Sequence, residues 1–262
     1  MSLRIAVLGS GSKGNATWIG FGAHGVLFDA GLSTRQIFTR MEALGLGRAP
    51  IDAVLLTHDH RDHVGAVGVL DRRLTKLRGA PVPFWMTEGT REGLSEEPER
   101  VAVLQPGRGV SVDGAHIEAI PIPHDTAAPV AFALRYGGTR VGVITDLGAV
   151  TPRVEEAFAG LDAAILEFNH DLDLLMEGPY PWPLKQRVAG RQGHLSNEQA
   201  ATLVSRAASP GLRHLILGHL SEENNRPELA FEAARAALLG RGLGTQVTVA
   251  QQHQPTLIRL DT

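Results

Sequence analysis

Short apolar runs, broken by glycine, proline and polar turns, recur along the whole chain. Leu3 to Leu8 reads as a buried strand, Ala16 to Ile19 and Val26 to Phe28 as two more, and Ile51 to Leu56 as another. Ser33-Thr34-Arg35-Gln36 has the form of a capping box that opens a helix to about Leu44. Val64 to Leu70, with Arg72-Arg73 after it, continues as helix. Strand-like and turn-like pieces alternate from Pro83 to Arg140. The clearest strands there are Ile117 to Ile122, Val130 to Tyr136 and Thr139 to Thr145. Thr151-Pro152 predicts an N-cap followed by proline at the first helical position. Beyond it lie a strand from Ala163 to Phe168, a second capping box at Ser196-Asn197-Glu198-Gln199 with a helix to about Ala208, and a strand from Leu212 to Leu217. A helix from Pro227 to Leu239 and two short strands finish the chain.

This order predicts an α/β sandwich of two sheets with helices outside, rather than one doubly wound sheet. The two halves, about 1–148 and 149–262, look alike. Each begins with strands and turns and then alternates helix and strand, so the expectation is one domain built of two similar halves. One motif points elsewhere. Gly9, Gly11 and Gly14 follow a strand with the G-x-G-x-x-G spacing, and Asp29 lies near the place of a ribose-binding acid. A dinucleotide site needs a helix after the glycines. Ala16-Thr17-Trp18-Ile19-Gly20-Phe21-Gly22 is β-branched, aromatic and glycine-broken, which reads as strand. A tight turn near the site, with Ser10, Ser12 and Asn15 as polar contacts, fits better.

Composition narrows the chemistry. The chain has 262 residues, a net charge of −3 and 43% hydrophobic residues, which suits a globular domain with a sizeable core. A pI near 6.4 argues against a broad basic surface for nucleic acid, though not against a local one. There is no cysteine, so disulfides and thiolate metal sites are excluded and any metal must use His and carboxylate ligands. Met1-Ser2-Leu3-Arg4 runs directly into a strand without the pattern of a signal peptide, and no apolar run approaches transmembrane length. The expectation is a cytoplasmic protein with no membrane association.

Thr57-His58-Asp59-His60-Arg61-Asp62-His63 is the densest chemical signal. It follows a buried strand, where α/β proteins place their sites. Three neighbouring imidazoles repel one another when protonated, so neutral rings facing a cation are the sensible state. His58 and His60, two apart, can point the same way from an extended segment. Asp62 and His63 are adjacent, so their side chains are expected to diverge and could reach a second ion. Three further candidates end strands: His124 after Pro121-Ile122-Pro123, Asp146 after Val141 to Thr145, and His219 after His214 to Gly218.

With these residues together, the sequence resembles the metallo-β-lactamase fold, whose signature is the His-x-His-x-Asp-His motif followed by a later His, an Asp and a final His. It is most similar to the WalJ/YycJ family of bacterial metal-dependent hydrolases. Gly9 to Thr17, Pro121 to Asp125, Thr145 to Gly148 and Asn169 to Asp171 carry that closer match. So do Gly178 to Arg187, Gly193 to Asn197 and His219 to Pro227. The resemblance implies an αββα sandwich with the site at one edge. It implies that His58, His60 and His124 hold one divalent ion, that Asp62, His63 and His219 hold another, and that Asp146 bridges them. Zinc or manganese is expected, with iron as a further option. Two such ions roughly 3.5–4 Å apart can activate a shared hydroxide for phosphoryl displacement.

Asp62 can orient that nucleophile and accept its proton. His194, just ahead of the Ser196 capping box, is the candidate general acid, and it resembles the His before the corresponding helix in tRNA-processing relatives of the fold. His170 is a candidate partner for His194 or substrate, with Glu167 orienting. Tyr180 to Arg187 reads as a loop that combines aromatics, prolines and cations. Lys185 and Arg187 are expected to pair with phosphates there, while Lys13 and Arg191 are weaker candidates. Ser12 and Asn15 complete the expected substrate contacts. The resulting expectation is a metal-dependent phosphodiesterase, a 5′ to 3′ DNA exonuclease, with DNA as its partner. The polarity comes from the resemblance alone. The alternative is a hydrolase of thioesters, lactones or cyclic phosphates. A non-enzymatic metal- or nucleotide-binding regulator has only the glycine pattern in its favour.

Overall fold

The computed structural model describes residues 3–260. Strands β1 (Leu3–Gly9), β2 (Ala16–Phe21) and β3 (His24–Phe28) form an antiparallel meander. Helix α1 (Thr34–Ala43) follows, with the Ser33 side chain accepting from the Gln36 amide. Then come β4 (Ala53–Leu55), α2 (Arg61–Val64), α3 (Val67–Arg78), β5 (Phe84–Thr87), α4 (Glu88–Glu92) and β6 (Val101–Leu104). Strands β3 to β6 pair in parallel. The next four strands, β7 (Gly109–Val112), β8 (Ala115–Pro121), β9 (Val130–Tyr136) and β10 (Thr139–Ile144), pair antiparallel. The chain continues as α5 (Pro152–Ala159), β11 (Ala163–Glu167), α6 (Leu172–Glu177), α7 (Trp182–Val188), α8 (Asn197–Ala207), β12 (His214–Gly218) and α9 (Pro227–Gly240). It closes with β13 (Gln246–Val249) and β14 (Thr256–Leu260).

Two seven-stranded mixed sheets result, ordered β14-β1-β2-β3-β4-β5-β6 and β13-β12-β11-β10-β9-β8-β7. The chain leaves the first sheet after β6 and returns to it only as β14. Residues 148–152 form the turn from β10 to α5 inside the second layer.

Both faces of each sheet are covered, and the period of two along each strand sorts side chains between them. Leu3, Ile5 and Val7 of β1 face the second sheet, in a core shared with Phe28, Leu55, Ile117, Phe132, Val143 and Ile165. Ala6 and Leu8 of the same strand pack outward with Trp18, Ile37 and Met41, under α1 and α3. Ala164 and Leu166 of β11 do the same under α5, α8 and α9, with Phe158, Leu203 and Leu238. The architecture is therefore α-β-β-α. Phe28 and Phe132 join the two sheets across the middle with ring centroids 5.4 Å apart.

One segment differs from expectation. Residues 182–188 are helical, because Pro181 and Pro183 stand at the cap and in the first turn, where no intrahelical amide is required. Lys185 and Arg187, two apart on a helix, then face different ways.

Phe132→Ala is expected to cost about 3–5 kcal/mol of unfolding free energy, because the tightly packed inter-sheet layer collapses poorly around a void. Equilibrium denaturant unfolding measures this.

Candidate metal centre

Every element that serves the site ends at one edge of the sandwich. The loop after β1, Asp29 after β3, residues 57–63 after β4, His124 after β8, Asp146 after β10, Glu167 at the end of β11 and His219 after β12 meet there. Three of these turn sharply out of their strands. Asp29, Asp146 and His219 have φ of 61°, 59° and 53°, a left-handed backbone that costs non-glycine residues roughly 1–3 kcal/mol each. Tertiary bonds hold two of them in place. The Asp29 amide donates to the Leu55 carbonyl at 2.9 Å, and the His219 amide donates to Ser10 Oγ at 2.7 Å.

The ligand-type atoms gather in overlapping groups. His58, His60 and His124 form one, Asp62, His63 and His219 another, and Asp146 is grouped with His58 and His63 on one side and with Glu167, His194 and His219 on the other. His60 Nδ1 and His124 Nε2 approach to 3.2 Å. Asp62 and His63, adjacent in sequence, converge instead of diverging: Asp62 Oδ2 lies 3.4 Å from His63 Nε2 and 3.5 Å from His219 Nε2. Asp146 sits between, with Oδ2 3.2 Å from His63 Nε2 and Oδ1 3.5 Å from His219 Nδ1.

A second layer of bonds aims these rings. His58 Nδ1 meets Thr57 Oγ1 at 2.9 Å, His63 Nδ1 meets Asp29 Oδ2 at 2.8 Å, and His124 Nδ1 meets the Gly193 carbonyl at 3.1 Å. Glu167 Oε1 serves two rings at once, His194 Nδ1 at 2.8 Å and His219 Nδ1 at 3.0 Å. Its other oxygen accepts the amides of Leu147 at 2.9 Å and Leu195 at 3.0 Å. Fixing Nδ1 leaves Nε2 to face the cluster, which is how metal-binding imidazoles are oriented.

The electrostatics call for cationic charge. Asp29, Asp146 and Glu167 are buried. Burial opposes the ionised form of Asp146 and Glu167, but the imidazoles around them win and hold both carboxyls below the ordinary range. Burial likewise opposes a charged His63, yet Asp146 and Asp29 hold that ring well above the usual imidazole range. For His219 the same contest, with Asp146 foremost among its partners, pushes the ring up to about 10. His58 is driven the other way, first by burial and then by its neighbouring rings.

The donor set fits divalent ions. His58 Nε2, His219 Nε2 and Asp146 Oδ2 are buried atoms without a hydrogen-bond partner, and all three belong to the ligand groups. Nitrogen and carboxylate oxygen without sulfur suit zinc, manganese or iron.

An open cleft of about 340 Å³ lies over the cluster, lined by Ser12, His60, Asp62, Asp146, Arg187, His194 and His219, among others. Of the expected substrate contacts, Ser12 lies in this cleft. Arg187 lines its rim, and its Nε donates to Asp125 Oδ2 at 2.6 Å. The others are placed differently. Lys185 is buried and its ammonium donates to the Met176 carbonyl, so it ties α7 to α6 and does not face the cleft. Asn15 is buried behind the ligands, donating from Nδ2 to Asp62 Oδ2 at 3.2 Å. His170 is buried, with Nδ1 3.4 Å from Asn169 Oδ1, and it is not bonded to His194. Lys13 pairs with Glu222, and Arg191 lines an adjoining groove. Asp29, Thr57, Asn169, Ser221 and Asn224 were not expected at the site. Asp29 ends a strand as the candidate ligands do, Thr57 opens the His/Asp motif, and Asn169, Ser221 and Asn224 fall within stretches that carry the family resemblance.

A four-layer αββα sandwich with a His/Asp cluster at its edge defines a metallo-β-lactamase fold hydrolase. The chain belongs to the β-lactamase superfamily: the family model described as Beta-lactamase superfamily domain matches residues 24–220. It is similar to Exodeoxyribonuclease YycJ of Bacillus anthracis, 30% identical over 249 residues that span 93% of this chain and 92% of that one. It is also similar to Exodeoxyribonuclease WalJ of Streptococcus pneumoniae serotype 2, 31% identical over 248 residues, 94% of this chain and 92% of that one. Among solved structures, the metallo-beta-lactamase fold protein YhfI of Bacillus subtilis superposes with a TM-score of 0.74 at 16% identity, covering 98% of this chain and 99% of that one, and shows the shared fold. No helix among the described residues is long and apolar enough to cross a membrane.

Two outcomes follow from the second layer. Asp29→Ala frees the His63 ring and is expected to weaken metal binding about 10–100-fold, measured by titration against a chromophoric chelator. His170 is pushed from 6.5 down to about 4, mainly by burial. The folded state therefore prefers the neutral ring, and stability present above pH 6.5 is lost as pH falls toward 4. His170→Gln is expected to flatten that part of the curve in pH-dependent unfolding.

Proposed function

We propose that the chain is a dinuclear metal-dependent phosphodiesterase that degrades DNA from its 5′ end. The observation that carries this reading is the convergence of His58, His60 and His124, and of Asp62, His63 and His219, on either side of Asp146, beneath an open polar cleft. The two similar exodeoxyribonucleases, alike over nearly the whole chain, support DNA as the substrate. Residues 1–262 are read as one domain of two halves.

The first group and the second group would each hold one divalent ion, zinc or manganese with iron as an option, with Asp146 bridging. When bound, the ions supply Lewis acidity and a nucleophile at neutral pH. The remaining steps belong to the chain. Asp62, facing the cleft, orients the attacking water and takes its proton. His194 has Nδ1 engaged by Glu167 at 2.8 Å, which keeps the ring aimed so that Nε2 can deliver a proton to the leaving oxygen. Arg187 exchanges Asp125 for a substrate phosphate, and Ser12, which also lines the cleft, offers a hydroxyl. His170 backs the wall near His194 from its buried position.

Digestion of duplex DNA labelled at the 5′ or the 3′ end, with added Mn²⁺ or Zn²⁺, tests the reading. Early release of the 5′ label as mononucleotide is expected. Thioester or lactone turnover without DNA cleavage would establish the small-molecule reading instead. Asp146→Ala is expected to reduce cleavage to background with little change in unfolding temperature. His194→Ala is expected to lower kcat roughly 10²-fold or more with KM little changed.

A further inference from the structure

The loop from Gly9 to Asn15 supplies no metal ligand, yet it grips one half of the centre. Ser10 Oγ accepts from the His219 amide at 2.7 Å and holds that residue in its left-handed conformation. The Asn15 amide donates to the Asp62 carbonyl at 2.7 Å. Asn15 Nδ2 donates to Asp62 Oδ2 at 3.2 Å and lies 2.9 Å from His63 Nε2. The residues reached, Asp62, His63 and His219, are the members of one ligand group. Among the described residues, no hydrogen bond runs from this loop to His58, His60 or His124.

The loop is in turn closed from a distant part of the chain. Gln252, 8% exposed, lies in the segment that carries the chain from β13 back to β14. Its Oε1 accepts from the Lys13 amide at 2.9 Å and its Nε2 donates to the Gly14 carbonyl at 2.9 Å, so one side chain satisfies both backbone polarities of the turn. The Gln252 carbonyl accepts from Arg40 Nη1 at 2.7 Å, and the same nitrogen donates to the Leu8 carbonyl at 2.6 Å. The strap explains the glycine spacing. A Cβ on Gly9 would lie 2.5 Å from Arg40 Nη1, and one on Gly11 would lie 2.8 Å from Gln252 Oε1. Gly14, at φ 139°, would meet the Gly31 carbonyl at 2.8 Å. What imitates a dinucleotide fingerprint is the close approach of this strap at Gly9 and Gly11 and of the Gly31 backbone at Gly14.

We infer that Gln252, backed by Arg40, is a positioning residue for one of the two ions. It fixes the glycine-rich loop, and the loop fixes Asp62, His63 and His219. Ligands for the other ion come from the ends of β4 and β8 and do not depend on the strap. This inference rests on the dinuclear reading above.

The test compares zinc titrations of the wild-type chain, Gln252→Met and Arg40→Met against a competing chromophoric chelator, with thermal melts of the metal-free proteins. Both substitutions keep volume and remove hydrogen bonds, and they reach the strap from opposite sides. In each variant one binding step is expected to weaken about 10–100-fold while the other is unchanged. The weakened step should be the one that Asp62→Asn also loses. Metal-free melting temperatures should stay near the wild-type value. Equal weakening of both steps, no weakening of either, or unfolding of both metal-free variants overturns the inference. Two wild-type steps with unaltered variants would reject Gln252 alone, whereas fewer than two steps in the wild type would reject the dinuclear reading itself.

Discussion

Three carboxylates, Asp29, Asp146 and Glu167, are buried at one edge of the sandwich with imidazoles on every side. A buried carboxylate is tolerated only when opposite charge and hydrogen bonds replace the water it has lost. The rest of the edge is arranged to meet that demand. Asp29 is held by Thr57 and His63, Glu167 by two backbone amides and two rings, and Asp146 by the rings of His63 and His219. The surrounding imidazoles hold these carboxylates ionised, and the same cluster of nitrogen and carboxylate donors could hold metal ions.

The fold makes this concentration possible. The central strands of each sheet bury apolar side chains on both faces, and most of the chemistry lies at or beyond their ends. Polar residues are displaced to the strand ends, and a sandwich of two mixed sheets brings the ends of β3, β4, β8, β10, β11 and β12 to one edge. The strained backbones of Asp29, Asp146 and His219 are the local cost of turning side chains back over the sheet edges. Shared second-layer groups then link the ligand sets. Glu167 couples the candidate proton donor His194 to the candidate ligand His219 through a single oxygen, so the two rings are positioned together.

Much of this was legible in the chain. Strand periodicity and the Ser33 and Ser196 capping boxes placed most elements to within a few residues, and strand-end histidines and aspartates located the cluster that the folded chain assembles. Local pattern could not reveal what depends on distant packing. Lys185 and Arg187 look alike as loop cations. Only the helix over 182–188 turns one inward to the Met176 carbonyl and the other toward the cleft. Asn15 reads as a substrate contact and is instead buried against Asp62. Gln252 has no local signature, because its partners Lys13 and Gly14 lie at the other end of the chain.

The most direct test of the dinuclear centre is anomalous scattering from crystals of the metal-loaded protein, recorded at the absorption edge of the bound metal. Two peaks flanking Asp146 are predicted, one among His58, His60 and His124 and the other among Asp62, His63 and His219. A single peak, or peaks away from these residues, would contradict it.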